Sequence, residues 1–137
     1  TLFNRFYSPD FNLETYQVVS TNVLSKPSDL PVSLRWIAVM ADRVECDLAA
    51  STGVHDGEAM IKQILAGANV VQVVSVLYKN GVGYIKTMLD EMNRWMEHEG
   101  YEKPADFRGK LSQSKSSNPA AYERVQFMRN FRHFIHE

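Results

Sequence analysis

Residues 47–77 read DLAASTGVHDGEAMIKQILAGANVVQVVSVL, and their pattern decides the fold class. A short apolar run, Asp47–Ser51, ends at Thr52-Gly53. A stretch with helical spacing follows, with Met60, Ile61, Ile64 and Leu65 on one face and Gly67 as its stop. A second, near-continuous apolar run, Val70–Val74, then ends at Ser75. That is one strand–helix–strand unit of the kind found in parallel sheets, where strands are covered on both faces.

Outward from this unit, the spacing predicts a helix over about residues 28–44, with Ser28 as cap and Pro31 in its first turns. A second amphipathic helix is expected from Val82 to about Glu99, with Ile85, Met88, Leu89, Met92, Trp95 and Met96 on one stripe that reads as ordinary core. Residues 101–118 read as a polar loop, most flexible at LSQSKSSN. A last helix is expected over 119–135, capped by Asn118, with Phe127, Phe131 and Phe134 among its apolar positions.

The chain opens LFNRFY, which reads as a strand already under way, so a piece of a longer polypeptide is expected. Ser8-Pro9-Asp10 supplies turn chemistry, and 11–24 reads as a β-prone excursion or short hairpin. Three parallel strands cannot hide both edges of a sheet, so the sheet is expected to be incomplete. The organisation is expected to be a partial α/β unit over 1–100 and a helical extension over 101–137.

The bulk composition excludes several classes. A chain of 137 residues with net charge −1 and 45% hydrophobic residues is an ordinary globular domain. Basic side chains outnumber acidic ones only beyond residue 99, and they are mixed in sign, which reads as a solvated surface rather than a nucleic-acid patch. No apolar run approaches the roughly 18 residues that span a bilayer. The single Cys46 excludes an internal disulfide, fits a reducing, cytoplasmic setting, and is expected to be buried. His133 and His136, with Glu137, sit at a chain end, and no metal site is assigned to them.

Ligands of parallel α/β proteins gather at the carboxyl ends of strands, where helix starts converge. Here those ends are Ser51-Thr52-Gly53-Val54 and Val74-Ser75-Val76. Gly lets the main chain approach an anion, and the hydroxyls of Thr52 and Ser75 add donors; Gly53 as a mere turn residue and Ser75 as a mere cap stay open beside this. His55 is read either as a helix-entry residue or as a phosphate donor.

The stretch STGVHDGEAMIKQILAGANVVQVVSVLYKNG resembles the end of the dihydroorotate dehydrogenase family of class 1 type, which uses FMN. Thr52-Gly53-Val54 is similar to the Gly-Gly-Val after that family's seventh strand. Ala68 to Ser75 is similar to its Ala-Asp-x-Val-Gln-x-Gly-Thr pattern at the eighth. The opening LFNRF resembles the sixth strand, and the YERVQFMRNF tail resembles a subgroup.

The resemblance implies the C-terminal part of a (β/α)₈ TIM barrel, about strands six to eight, within an FMN flavoprotein of pyrimidine biosynthesis. It implies that main-chain N–H groups of Thr52, Gly53, Val74 and Ser75 grip the FMN phosphate and that Asn4 touches the pyrimidine or the flavin. A small-molecule substrate, the missing N-terminal half of the barrel and a homo-oligomeric state are the implied partners. Thr52 and Val74 depart from the family by placing β-branched side chains where glycines stand, and Arg5 is bulkier than the residue typical there. The family's catalytic base and its flavin-contacting Lys lie on earlier segments, so no catalytic residue is assigned here, and Cys46 stands at the wrong end of its strand for the base. The alternative is a non-enzymatic interaction or oligomerisation module that uses the aromatic C-terminal helix.

Overall fold

The computed structural model describes residues 1, 9–20 and 23–123. The expected opening strand with Asn4 and Arg5, and the last helix beyond residue 123, lie outside the described residues.

The chain first forms an antiparallel hairpin of β1 (Pro9–Asn12) and β2 (Gln17–Ser20), with Asn12 opposite Gln17. The side-chain oxygen of Asn12 accepts from the N–H groups of Glu14 and Thr15 at 2.9 and 3.1 Å, which sets the turn. Pro9 and Asp10 belong to β1 instead of forming a turn, since Pro is tolerated at the first position of an edge strand. Both strands are exposed along their whole length.

A 3₁₀ turn at Pro27–Asp29 leads into α1 (Leu30–Met40), so Ser28 lies inside that turn and Asp29 takes the cap position. Pro31 stands in the first turn of α1, where its absent N–H leaves nothing unpaired. The unit read from residues 47–77 forms as β3 (Ala49–Ala50), α2 (Gly57–Ala66) and β4 (Val70–Val71), and the two strands are parallel. Their ladder reaches a little beyond those bounds: the N–H groups of Asn69 and Val70 share the Leu48 carbonyl, and Gln72 N–H donates to Ala50 at 2.8 Å.

This sheet has two strands, and no closed barrel forms among the described residues. Val70 and Val74 are 54% and 62% exposed, so β4 is not covered on both faces as its composition suggested. Val73 and Val74 leave the ladder because β3 has already turned away at Thr52. The chain then enters a short helix, α3 (Ser75–Asn80), directly after Val74.

α4 (Tyr84–Glu99) buries Met88, Met92 and Met96, spaced one turn apart, against α2. Ile85 and Leu89, one step around the helix, remain about two-fifths exposed, so the buried stripe is narrower than the sequence suggested. A second layer of core lies between α1, β3 and the end of α2, where Ala50 and Ala68 are fully buried and admit close packing beside Ile37. Cys46 is exposed, contrary to expectation, because it lies in the connection between α1 and β3 rather than on an inward position.

The segment expected to be a flexible polar loop is instead a seal over the ends of two helices. Its main chain donates from Gly109 to Ile64 at 3.0 Å, from Leu111 to Leu65 at 2.8 Å and from Gln113 to Ala38 at 2.9 Å. The Leu65 and Ala38 carbonyls, near the carboxyl ends of α2 and α1, gain partners in this way, and that of Ile64 gains a second beside Gly67 N–H. Ser112 and Gln113 are buried as a result. Asp42 anchors the far side: the neighbouring Ser112 hydroxyl, then the hydrogen bond from Ser114 and the Lys115 charge, hold its carboxyl below the usual carboxylate range. Asn118 makes no side-chain cap, and Pro119–Tyr122 is a 3₁₀ turn whose Tyr122 hydroxyl donates to the Leu111 carbonyl at 2.7 Å.

Phe107 is the deepest residue of this seal. Its fully buried ring meets Trp95 edge-on, centroids 4.9 Å apart, and Tyr101 at 5.4 Å. Replacing Phe107 by Ala is expected to destabilise the chain by about 3–5 kcal/mol. Urea unfolding followed by tryptophan fluorescence measures it, and a loss within about 0.5 kcal/mol would show the seal to be peripheral.

Candidate functional site

The two strand ends meet. Residues Ser51 to Val54 after β3 and Gln72 to Ser75 after β4 line one cavity of about 430 Å³, closed further by Val23, Leu24, Ser25 and Tyr78. Thr52, Gly53, Val74 and Ser75 all lie on its wall. Asn4 lies outside the described residues.

The corner after β3 is built on consecutive left-handed residues, Thr52 at φ 78° and Gly53 at φ 81°. For a β-branched residue such as Thr52 that conformation is strained and needs its surroundings to enforce it. Part of the enforcement is visible. The Ser33 hydroxyl on α1 donates to the Thr52 carbonyl at 3.5 Å and itself accepts from the Gln63 side chain of α2 at 2.5 Å. Gln63 and Ser33 are both buried, so this polar chain runs through the core to the corner. Neither residue was legible as part of the site, because each sits at a helix position that periodicity alone assigns to core.

Gly53 is required by packing rather than by any ligand. A Cβ built there would stand 2.2 Å from the main-chain nitrogen of Leu30 and 2.6 Å from its Cα. The corner is pressed against the start of α1, and its bare Cα faces that helix.

Ser75 is held from a third segment. Ser25, 7% exposed, donates its N–H to the Ser75 hydroxyl at 2.8 Å and its own hydroxyl to the same oxygen at 3.0 Å. The Ser25 hydroxyl also lies 3.3 Å from Nε2 of His55, which follows the β3 corner. Ser25 therefore ties both corners together, and nothing in its Ser25-Lys26-Pro27 surroundings marked it beyond a turn.

The donors available in the cavity are neutral. Among the described residues, the main-chain N–H groups of Gly53 and Ser75 carry no hydrogen bond. The start of α2, by contrast, is already taken: Asp56 accepts from Ala59 N–H at 2.7 Å, and Glu91 of α4 accepts from Gly57 N–H at 2.6 Å. Among the described residues neither Lys nor Arg lines the cavity, and neither Asp, Glu nor Cys does. Such a wall suits the binding of an oxyanion through hydroxyl and main-chain donors, beside the apolar surface of Val23, Leu24, Val73 and Tyr78. Among the described residues that line it, none is suited to take a proton from a substrate. Elsewhere among the described residues, no cluster of three metal-ligating side chains forms, and no helix is long and apolar enough to cross a membrane.

No family model matches the chain. Among curated proteins it is similar to a probable dihydroorotate dehydrogenase A (fumarate) of Streptococcus pneumoniae, 37% identical over 67 residues, which is 49% of this chain and 22% of that one. It is 30% identical over 67 residues to dihydroorotate dehydrogenase A (fumarate) of Lactococcus lactis, covering 22% of that protein. A longer stretch of 111 residues, 79% of the chain, is 26% identical to the catalytic subunit of dihydroorotate dehydrogenase B (NAD(+)) of Thermoplasma acidophilum, covering 37% of it. The chain thus spans about a fifth to two-fifths of the length of these relatives, and its relationship to dihydroorotate dehydrogenases rests on that portion.

Gly53→Ala is expected to destabilise the chain by about 2–4 kcal/mol, combining a main-chain overlap with a left-handed φ that Ala resists. Thermal denaturation measures it. A variant that melts with the wild type would mean that the corner can move off α1 freely.

Proposed function

We propose that this chain is the C-terminal portion of an FMN-dependent oxidoreductase of the dihydroorotate dehydrogenase-like family, of class 1 type, and that it contributes the loops that hold the FMN phosphate. The observation that carries the reading is the convergence of two parallel strand ends on one cavity, with unclaimed N–H groups at Gly53 and Ser75. The sequence likeness to dihydroorotate dehydrogenases supports it.

The donor set fits the phosphate end of FMN. Main-chain and hydroxyl donors at a glycine-containing turn bind phosphate without a cationic side chain. The apolar wall beside them suits the uncharged part of a coenzyme. Thr52, Gly53, Val74 and Ser75 are the residues assigned to the phosphate, and Asn4 is assigned to the pyrimidine or the flavin. When bound, FMN supplies the N5 position that takes the hydride in converting dihydroorotate, or a related substrate, to orotate. This chain's share is to fix the coenzyme's charged end and so orient it; the base that takes the accompanying proton is assigned to a segment preceding this one, and the chain by itself is read as inactive.

In this reading β3, β4 and their helices form the last units of a (β/α)₈ ring, with 101–137 as an extension, in a cytoplasmic enzyme of pyrimidine biosynthesis. The preceding units would cover the exposed Val70 and the free edge of the sheet.

A second reading, self-association, is favoured by one feature. The hairpin carries Phe11, Leu13, Tyr16 and Val18 at 59% to 92% exposure, too much apolar surface for a two-stranded ribbon standing alone in water. Sedimentation over a range of concentrations is expected to give a mass above that of the monomer, and Tyr16→Ser with Phe11→Ser is expected to return the chain to monomer. A monomer throughout would reject it.

The phosphate assignment is tested by titrating the chain with FMN and with riboflavin and following flavin fluorescence. FMN is expected to bind at least about tenfold more tightly, the worth of one or two charge-assisted hydrogen bonds. The chain by itself is expected to hold either flavin weakly or not at all, since the rest of the pocket lies on preceding units, and equal measurable affinity for the two overturns the assignment.

A further inference from the structure

Ser25, Ser75 and His55 form a chain of three hydrogen-bonding groups in which protons are fewer than oxygen and nitrogen contacts. Each hydroxyl has one proton to give and two lone pairs to fill. Ser75 Oγ already accepts the Ser25 N–H at 2.8 Å. The 3.0 Å contact between the two hydroxyls and the 3.3 Å contact from Ser25 Oγ to His55 Nε2 must then share the remaining protons. Ser25 and Ser75 line the cavity, whereas the half-buried His55 is absent from its wall and reaches it only through Ser25.

Two arrangements satisfy the chain. With a proton on Nε2, His55 donates to Ser25, and Ser25 donates to Ser75. Both lone pairs of Ser75 are then filled, and its own proton is left to point at a ligand. With Nε2 bare, Ser25 gives its only proton to His55, and its oxygen becomes an acceptor 3.0 Å from Ser75 that draws the Ser75 proton away from the cavity.

We infer that His55 is a positioning residue for the cavity: through Ser25 it sets whether Ser75 donates to a bound oxyanion, so that the site takes such a ligand best when Nε2 carries a proton. The inference rests on the oxyanion reading of the cavity and adds its control. The other ionisable groups on the elements packed here are Asp56 beside His55, Glu91 on α4, Lys26 and Asp29 next to Ser25, and Tyr78 and Lys79 on α3. Asp56, Glu91 and Asp29 are each committed to a main-chain N–H, of Ala59, Gly57 and Lys26 respectively. Among the described residues none of the six hydrogen-bonds into the Ser25–Ser75 chain, which leaves His55 as the group whose proton decides its direction.

Reciprocity gives the test. The imidazole of His55 is titrated by NMR in the 137-residue chain, with and without sodium sulfate, an oxyanion whose own charge is constant near neutral pH. Sulfate is expected to raise the midpoint by about half a unit, equivalent to about threefold tighter sulfate binding with His55 protonated. Without any ligand, Ser75→Ala is expected to lower the midpoint, although His55 makes no contact with that residue. The Ser25 proton then lacks an acceptor when His55 is charged, and a stranded proton is costlier than a spare lone pair. Ser25→Ala is expected to abolish the sulfate effect and Ser25→Thr, which keeps the hydroxyl, to retain it.

One midpoint shared by wild type and Ser75→Ala overturns the inference whether or not sulfate binds. Failure of sulfate to move the Gly53 and Ser75 amide signals, with the Ser75→Ala shift present, overturns the oxyanion reading instead. A sulfate effect that persists in Ser25→Ala also overturns the inference, since the coupling would then bypass Ser25.

Discussion

The corner after β3 sits with the bare Cα of Gly53 against the first main-chain atoms of α1, closer than any side chain would permit. That contact sets the rest of the site. It fixes where β3 ends and holds Thr52 in a left-handed turn. It also lets Ser33 and Gln63 reach the Thr52 carbonyl through the core. Because β3 is cut short there, β4 has no partner beyond Gln72, and the chain is free to turn into α3 with Ser75 at its start. Loosening the one contact would move both walls of the cavity together.

The buried polar chain behind the corner works against stability as well as for it. Gln63 is fully buried, and its side-chain oxygen has no partner among the described residues, which costs about 1–3 kcal/mol. A leucine would pack there without that penalty. What Gln63 provides instead is a fixed orientation for Ser33, and through it for a turn that its own conformational preferences do not favour. The arrangement trades stability for the geometry of a strained corner.

Parts of this were legible in the sequence and parts were not. The strand–helix–strand unit of residues 47–77 could be read because helical and strand periodicities alternate cleanly there, with Gly53 and Gly67 at the junctions. The Met stripe of α4 was legible for the same reason. The run from Val70 to Val74 misled, since a continuous apolar stretch does not say where its partner strand stops. The segment 101–118 misled for the opposite reason. It is polar and lacks periodicity, yet its main chain is what caps α1 and α2, and a main-chain role leaves no mark on side-chain pattern. Ser25 was hidden similarly, as one serine in a turn whose importance comes from segments 30 and 50 residues away.

The carboxylates of Asp56 and Glu91 at the start of α2 have a consequence for selectivity. They neutralise the positive end of a helix that would otherwise attract any anion, whatever its shape. With that general attraction cancelled, discrimination falls to the short-range fit of neutral donors at the two turns. Such donors weaken little with rising ionic strength and reject an oxyanion that is misplaced by a fraction of a bond length. Under the proposed phosphate assignment, recognition at this cavity would rest on the outline of the ligand rather than on the charge of a helix end.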